Sequence, residues 1–168
     1  MIKILLTVIL FCTSLGAFAR GSISIKFELK PAGTFNINIE DVQGFLATDG
    51  KVVQTSKIVA DLTTLTTGVE LRDQHTKRYL NVKKFPVATF LKGRGKKGRI
   101  KGVLIVKGIE REIMATYEIR GDRAVAKFKT LISDYGLEYI KYKEIFVKDE
   151  MWITITLPIK YVRKKKNY

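Results

Sequence analysis

From residue 22 onward the chain alternates apolar and polar side chains. Ser22-Ile-Ser-Ile-Lys-Phe-Glu-Leu29 places Ile23, Ile25, Phe27 and Leu29 on one face, and Phe35-Asn-Ile-Asn-Ile39 repeats the pattern after a Pro31-Ala-Gly33 turn. A period of two cannot form the apolar stripe of a helix; it specifies strands with one buried and one wet face. Val52–Asp61 is a third run, with Ile58 and Ala60 sharing a face with Leu62. Val87–Lys92, Arg99–Lys107, Glu110–Ile119, Arg123–Ile132 and Met151–Lys160 bring the expected strands to eight. Glycines punctuate them at 93, 95, 98, 108 and 121, and such short turns join antiparallel neighbours. Two stretches break the rhythm. Thr66–Leu80 reads as a helix or loop excursion, and Tyr135–Lys148 is aromatic-rich and irregular.

Eight antiparallel strands form either a sandwich or a closed barrel, and closure removes the unpaired edges that a lone sheet would expose. With 46% hydrophobic residues, three prolines and no linker or repeat, residues 20–168 read as one all-β domain ending in a basic tail, 163–168. An eight-stranded barrel is of the size whose interior is either filled by side chains or holds one small ligand. The inward candidates are Phe27, Ile37, Leu62, Phe90, Leu104, Ile113, Tyr117, Phe128, Ile153, Ile155 and Leu157. A packed core accounts for such residues in most proteins. The alternative is a tunnel for a long apolar ligand, where eight buried methylenes at ~0.8 kcal/mol each supply about 6 kcal/mol before ordering costs.

The first 19 residues read as an address. Met1-Ile-Lys3 is a short basic start, Ile4–Phe11 an apolar run too short for a permanent anchor, and Ala17-Phe-Ala19 a signal-peptidase site before Arg20. Cleavage there removes Cys12, the only cysteine, which suits a periplasmic or secreted protein.

Thirty-one Lys and Arg against 16 Asp and Glu give a net charge of +15, so surface partners are expected to be anionic. Lys92, Arg94, Lys96, Lys97, Arg99 and Lys101 crowd one Gly-rich turn. They read as a solvated turn or as a contact for an anionic membrane or envelope polymer. No stacking aromatics or helix-turn-helix accompany them, so nucleic acid is not an expected partner. With a single His, no metal site is expected. Arg72, Asp73 and His75 form the most suggestive polar cluster. They serve as a clamp for an anionic headgroup, as an acid–base pair, or as a tie between the excursion and the barrel rim. No Ser or Thr pairs with His75 as a nucleophile, so no catalytic residue is assigned. Tyr135, Tyr139, Tyr142 and Trp152 are candidates for an aromatic ligand mouth or for ordinary rim packing.

Three segments together resemble the YceI-like family of exported lipid-binding proteins. Leu65-Thr-Thr-Gly68, Arg72-Asp73, His75, Phe85-Pro86 and Phe90 are similar to its T-G-x-x-x-R-D-x-H pattern and the aromatic-Pro pair and Phe that follow. Gly102-Val-Leu104-Ile-Val-Lys-Gly108 is similar to its G-x-L-T-x-x-G strand and turn, and Ser133-Asp-Tyr-Gly136 to its S-x-D-aromatic-G stretch. The likeness spans residues 22–160 and departs from the pattern at Tyr79-Leu80, where an aromatic pair is usual, and at Ile105, Lys107 and Ile132. It implies an eight-stranded antiparallel lipocalin-like β-barrel with a short helical excursion near residues 68–80. It also implies a bound isoprenoid, quinone or acyl lipid in place of any cofactor.

The expected function is therefore non-enzymatic binding, transport or storage of a long apolar ligand in the cell envelope. Its contacts would be the inward set above, Leu157 excepted, together with Tyr135 and Trp152, twelve residues in all. The rival is a basic surface-binding module with a solid barrel, attached to anionic polymers or membranes through residues 92–101. No feature of the sequence sets an oligomeric state.

Overall fold

The computed structural model describes residues 20–162 apart from residues 32, 139 and 143. The expected leader, the basic tail and Tyr139 lie outside the described residues, as does the side chain of Tyr142. The strands are β1 (Gly21–Lys30), β2 (Thr34–Gln43), β3 (Leu46–Thr48), β4 (Val52–Asp61), β5 (Val87–Lys96), β6 (Arg99–Val106), β7 (Ile109–Arg120), β8 (Arg123–Leu131), β9 (Lys141–Tyr142) and β10 (Ile145–Tyr161). One α-helix, α1 (Glu70–Leu80), lies between β4 and β5.

Eight long strands close a ring in the order β1-β2-β4-β5-β6-β7-β8-β10, with β10 returning to β1, and every pair in it is antiparallel. The alternation in the sequence thus closes as a barrel, with no edge strand left in the ring. The β2–β4 seam is the weakest. Only Val42–Ala60 and Gln43–Val59 pair directly, and the chain after β4 extends the seam through a two-way backbone bridge between Asn38 and Thr66, at 2.8 and 2.9 Å.

Several elements differ from expectation. β5 runs four residues past Lys92, so Gly93 and Gly95, expected in a turn, lie within the strand and pair with Thr55 and Val53 of β4, leaving only Lys97-Gly98 as the turn. β10 begins six residues before Met151, because Ile145 and Phe146 pair with β9 while Phe146 and Val147 pair with the end of β1. β3 runs parallel to β10 and antiparallel to β4, filling the gap beyond the start of β1 and the end of β2. A three-residue strand is too short to show a period.

The ends of the barrel are unlike. The turns at 43–52, 96–99 and 120–123 gather at one end. The longer excursions, 62–86 and 131–145, gather at the other with the 30–34 and 106–109 turns. At Lys97-Gly98 and Lys107-Gly108 both central residues have positive φ, the twist-matched hairpin turn that needs glycine in the second place. Helix α1 has acidic Glu70 and Asp73 in its first turn and Lys77 and Arg78 in its last, complementing its dipole. No residue of α1 is fully buried, so it lies across the open end as a cover.

Candidate binding site

The interior has two regions. Toward the plain end it is packed. Val42, Leu46, Val53, Ile100, Ala124 and Leu157 are all buried, and the Phe90 ring occupies space that Gly93 and Gly102 leave free. A Cβ on Gly93 would lie 2.6 Å from the Phe90 ring, and one on Gly102 would overlap it. Toward the α1 end lies a hollow of about 140 Å³, lined by Ile23, Ile25 and Phe27 of β1, Phe35, Ile37 and Ile39 of β2, and Met151, Ile153 and Ile155 of β10. Leu104 and Val106 face these from β6, and Thr76, Tyr79 and Leu80 of α1 close the top. Three lining residues, Thr76, Tyr79 and Tyr135, carry hydroxyls and none is charged.

The hollow stops where the plug begins. On β10 the lining ends at Ile155 and packing resumes at Leu157; on β6 Leu104 lines the hollow while Ile100 is core. The cavity is therefore a blind pocket in one half of the barrel, not a tunnel through it. A second cavity of about 270 Å³ lies outside it, between α1 and the β9–β10 rim. The two share Phe35, Thr76, Tyr79, Ile140 and Val147, which form the neck. A single water needs about 10–15 Å³, so the hollow has room for on the order of ten groups of that size.

Of the twelve residues expected to contact a ligand, the structure brings eight to the hollow: Phe27, Ile37, Leu62, Leu104, Phe128, Tyr135, Ile153 and Ile155. Four lie elsewhere. Phe90 belongs to the plug. Tyr117 packs against the core and Ile113 is half-buried, neither lining the hollow. Trp152 points outward, because β10 turns its odd-numbered residues inward; Lys129 Nζ lies 5.6 Å from its ring. Tyr135, proposed for a mouth, sits fully buried in the hollow wall. Burial pushes its hydroxyl pKa up. The neighbouring Thr130 hydroxyl bonds Asp134 at 3.4 Å, leaving Tyr135 Oη without a hydrogen bond of good geometry.

Sequence reasoning passed over several lining residues. Ile23 and Ile25 share the face of Phe27, so their alternation already marked them. Tyr79, Leu80, Leu137 and Ile140 come from the helix and from an irregular segment, where no period of two operates.

The polar cluster sits at the neck. Asp73 Oδ1 accepts from the Thr67 amide at 2.6 Å and from the Thr67 hydroxyl, and Oδ2 accepts from the Thr66 hydroxyl at 3.1 Å. Burial, the largest single influence, pushes this carboxyl up, but the Thr67 and Thr66 bonds together outweigh it and hold it below its usual value. Arg72 Nη2 donates to the Thr67 carbonyl at 3.2 Å, and its guanidinium lies 4.9 Å from the Phe35 ring centre. His75 lines the outer cavity. The geometry is that of a tie holding α1 to the end of the β2–β4 seam. At the same end Ser133 bonds both carboxylate oxygens of Asp149, at 2.8 and 2.7 Å, fixing the turn that inserts Tyr135. Lys107 Nζ donates to the Gly136 carbonyl at 3.3 Å, and Ile132 lines the hollow.

Lys92, Arg94, Lys96, Lys97, Arg99 and Lys101 are all exposed on the outer side of β5–β6, at the plugged end. Lys92 stands at a bulge with φ of 54°, and none of the six makes an ion pair among the described residues. Among the described residues no group of His, Cys, Asp and Glu is placed to hold a metal ion.

The architecture recurs in solved structures. BcnA of Burkholderia cenocepacia superposes with a TM-score of 0.62 at 13% identity, over 80% of this chain and 94% of that one. A polyisoprenoid binding domain from Saccharophagus degradans, implicated in plant cell wall breakdown, gives 0.61 at 13% identity, over 83% and 93%. The Campylobacter jejuni YCEI protein gives 0.60 at 16% identity, over 77% and 85%. At such identities these similarities speak to fold alone. No curated protein matches the chain in sequence. The sequence profile of the YceI-like domain matches residues 19–159, nearly the whole barrel, and on that match the chain belongs to the YceI-like family.

Proposed function

We propose that this protein binds and carries or stores a long apolar molecule, without catalysis, in the cell envelope. The observation that carries the reading is the blind hollow, its wall free of charge, beneath a helical cover. Leaving such a space unfilled is costly. At about 24 cal/mol per Å³, a cavity of this size forfeits roughly 3 kcal/mol relative to a packed interior. A sequence that places a large Phe against glycines to fill one half has the means to fill the other, so a hollow kept empty of side chains is best explained by a guest. Each methylene of that guest adds ~0.8 kcal/mol on burial, and the preformed wall keeps ordering costs low. The polyisoprenoid binding domain among the similar structures supports an isoprenoid tail, with fatty-acyl and quinone tails fitting the same apolar wall. The expected signal peptide supports a periplasmic or secreted location.

The test is to extract lipid from the purified protein for mass spectrometry, then to titrate the delipidated protein with a fluorescent polyene fatty acid. Saturable binding that Leu104→Trp removes, in a protein that still folds, is the expected result. A protein that yields no lipid and binds none overturns the reading.

The exposed cations of β5–β6, without an ion pair among the described residues, support a second reading, attachment to an anionic membrane or envelope polymer. Because they lie at the plugged end, such attachment would leave the neck free. Retention on anionic vesicles should fall steeply with ionic strength, whereas capture in the hollow should respond little.

A further inference from the structure

We infer that the guest is an anionic amphiphile whose carboxylate or phosphate head sits against Arg72 in the outer cavity while its tail fills the hollow. This rests on the carrier reading above and adds to it the chemistry of the head.

Arg72 stands at the neck, on α1 and against Phe35, which lines both cavities. A guanidinium offers five donors. Here one is used, Nη2 to the Thr67 carbonyl, while Nε is buried and unpartnered. No carboxylate pairs with Arg72 among the described residues; the adjacent Asp73 is committed to Thr66 and Thr67. Of the other residues lining the outer cavity His75 and Lys141 are basic, Tyr79 brings a phenol, and no Asp or Glu joins them. Lys141 reaches Glu144 only at 3.9 Å, in an exposed pair. The rest of the outer cavity's lining includes Leu29, Val69, Leu71 and Ile145, which are apolar.

A partly buried cation in apolar surroundings without a counter-ion is unfavourable, and filling the cavity with a neutral molecule strips its remaining water. A carboxylate or phosphate oxygen reverses the sign, because it takes charge-assisted hydrogen bonds from the guanidinium in a water-poor site. The neck also orders the molecule. A tail that enters past Phe35 and Tyr79 leaves its head on the Arg72 side, so chain direction is fixed by the blind end and the cation together.

The experiment measures displacement of the neutral dye N-phenylnaphthylamine from delipidated protein by two matched pairs, palmitate against hexadecanol and farnesyl phosphate against farnesol. Each anion is expected to bind about ten- to a hundredfold more tightly than its alcohol. Whichever pair shows the larger ratio tells a carboxylate head from a phosphate one. Arg72→Gln should bring the ratio close to one, the alcohol in the same variant reporting whether the tail site survives. Lys83→Gln, which removes the same charge from an exposed position outside both cavities, should keep the wild-type ratio. If glutamine at 72 unfolds the helix, Arg72→Lys keeps the charge and the stem but lacks Nε, and its ratio should fall part of the way. Equal affinity for anion and alcohol in the wild type overturns the inference, as does a ratio that survives every change at Arg72 or falls as far in Lys83→Gln. If no member of either pair displaces the dye, the carrier reading falls and takes the head assignment with it; equal binding removes the head assignment alone.

Discussion

The two halves of the barrel are built from the same eight strands and the same alternation, yet one is solid and the other hollow. In the plugged half, large and small residues interlock: Phe90 against Gly93 and Gly102, Leu157 against the place where a Gly21 side chain would be. In the open half, the isoleucines of β1, β2 and β10, together with Met151 and the stacked rings of Phe27 and Phe35, leave space unfilled across the axis, and a helix outside the ring is the lid. Apolar alternation thus sets which way a side chain points but not whether it meets another. In the plugged half the fit of the Phe90 ring against Gly93 and Gly102 is where inward side chains do meet.

This contrast can be broken by mutation. The largest effect is expected for Leu157→Ala, which removes a buried side chain from close packing and should cost about 3–5 kcal/mol in denaturant unfolding of the delipidated protein. Ile153→Ala, beside existing empty space, should cost nearer 2 kcal/mol. Equal losses would mean that the hollow is packed in solution. Next comes Gly102→Ala, where the new methyl meets the Phe90 ring, for about 1–3 kcal/mol. Combining it with Phe90→Leu should recover most of that loss, read as a non-additive double-mutant cycle. Phe90→Leu alone should deepen the hollow, shifting the preferred tail length upward in a chain-length series.

Smaller again is the tie of the cover. Asp73→Asn should cost about 1–2 kcal/mol at neutral pH. Because the folded state holds the Asp73 carboxyl below its usual value, its contribution is fully present above the unfolded value of about 3.9 and is lost as pH falls through the lowered folded value. The stability gap between wild type and Asp73→Asn should therefore close on acidification below about pH 4, and a gap that widens instead would refute the assignment. The smallest effect belongs to the basic strip. Lys92→Gln, Arg94→Gln and Lys101→Gln, all exposed, should each move stability by less than about 0.5 kcal/mol. Their loss should appear in vesicle retention at low salt or nowhere.

Most of the ring was legible in advance, because strands that alternate along their length and turn at glycines carry their pairing in local chemistry. The hollow was not. Ile37, Leu104 and Ile153 face it as their alternation indicates, but Phe90, Ile113 and Tyr117 obey the same rule and lie elsewhere. Trp152 stood out by size and aromaticity, qualities that say nothing of direction, and its even-numbered place on β10 turns it to the outer face. Tyr79, Leu80 and Ile140 were passed over because a helix of low amphipathicity and an irregular segment give no period from which to read a face. Arg72 and Asp73 were visible as a cluster, yet only the fold separates them, one committed to Thr66 and Thr67 and the other left with buried Nε unpartnered.

By itself the sequence determined an all-β chain of eight alternating strands, its charge, and a likeness to one family, because periodicity, turn residues and motif spacing are local properties. The tertiary structure decided where the interior is empty, which end is open and which cation lies at the neck. Those are matters of distance across the barrel axis, between side chains far apart along the chain, and no local pattern encodes them.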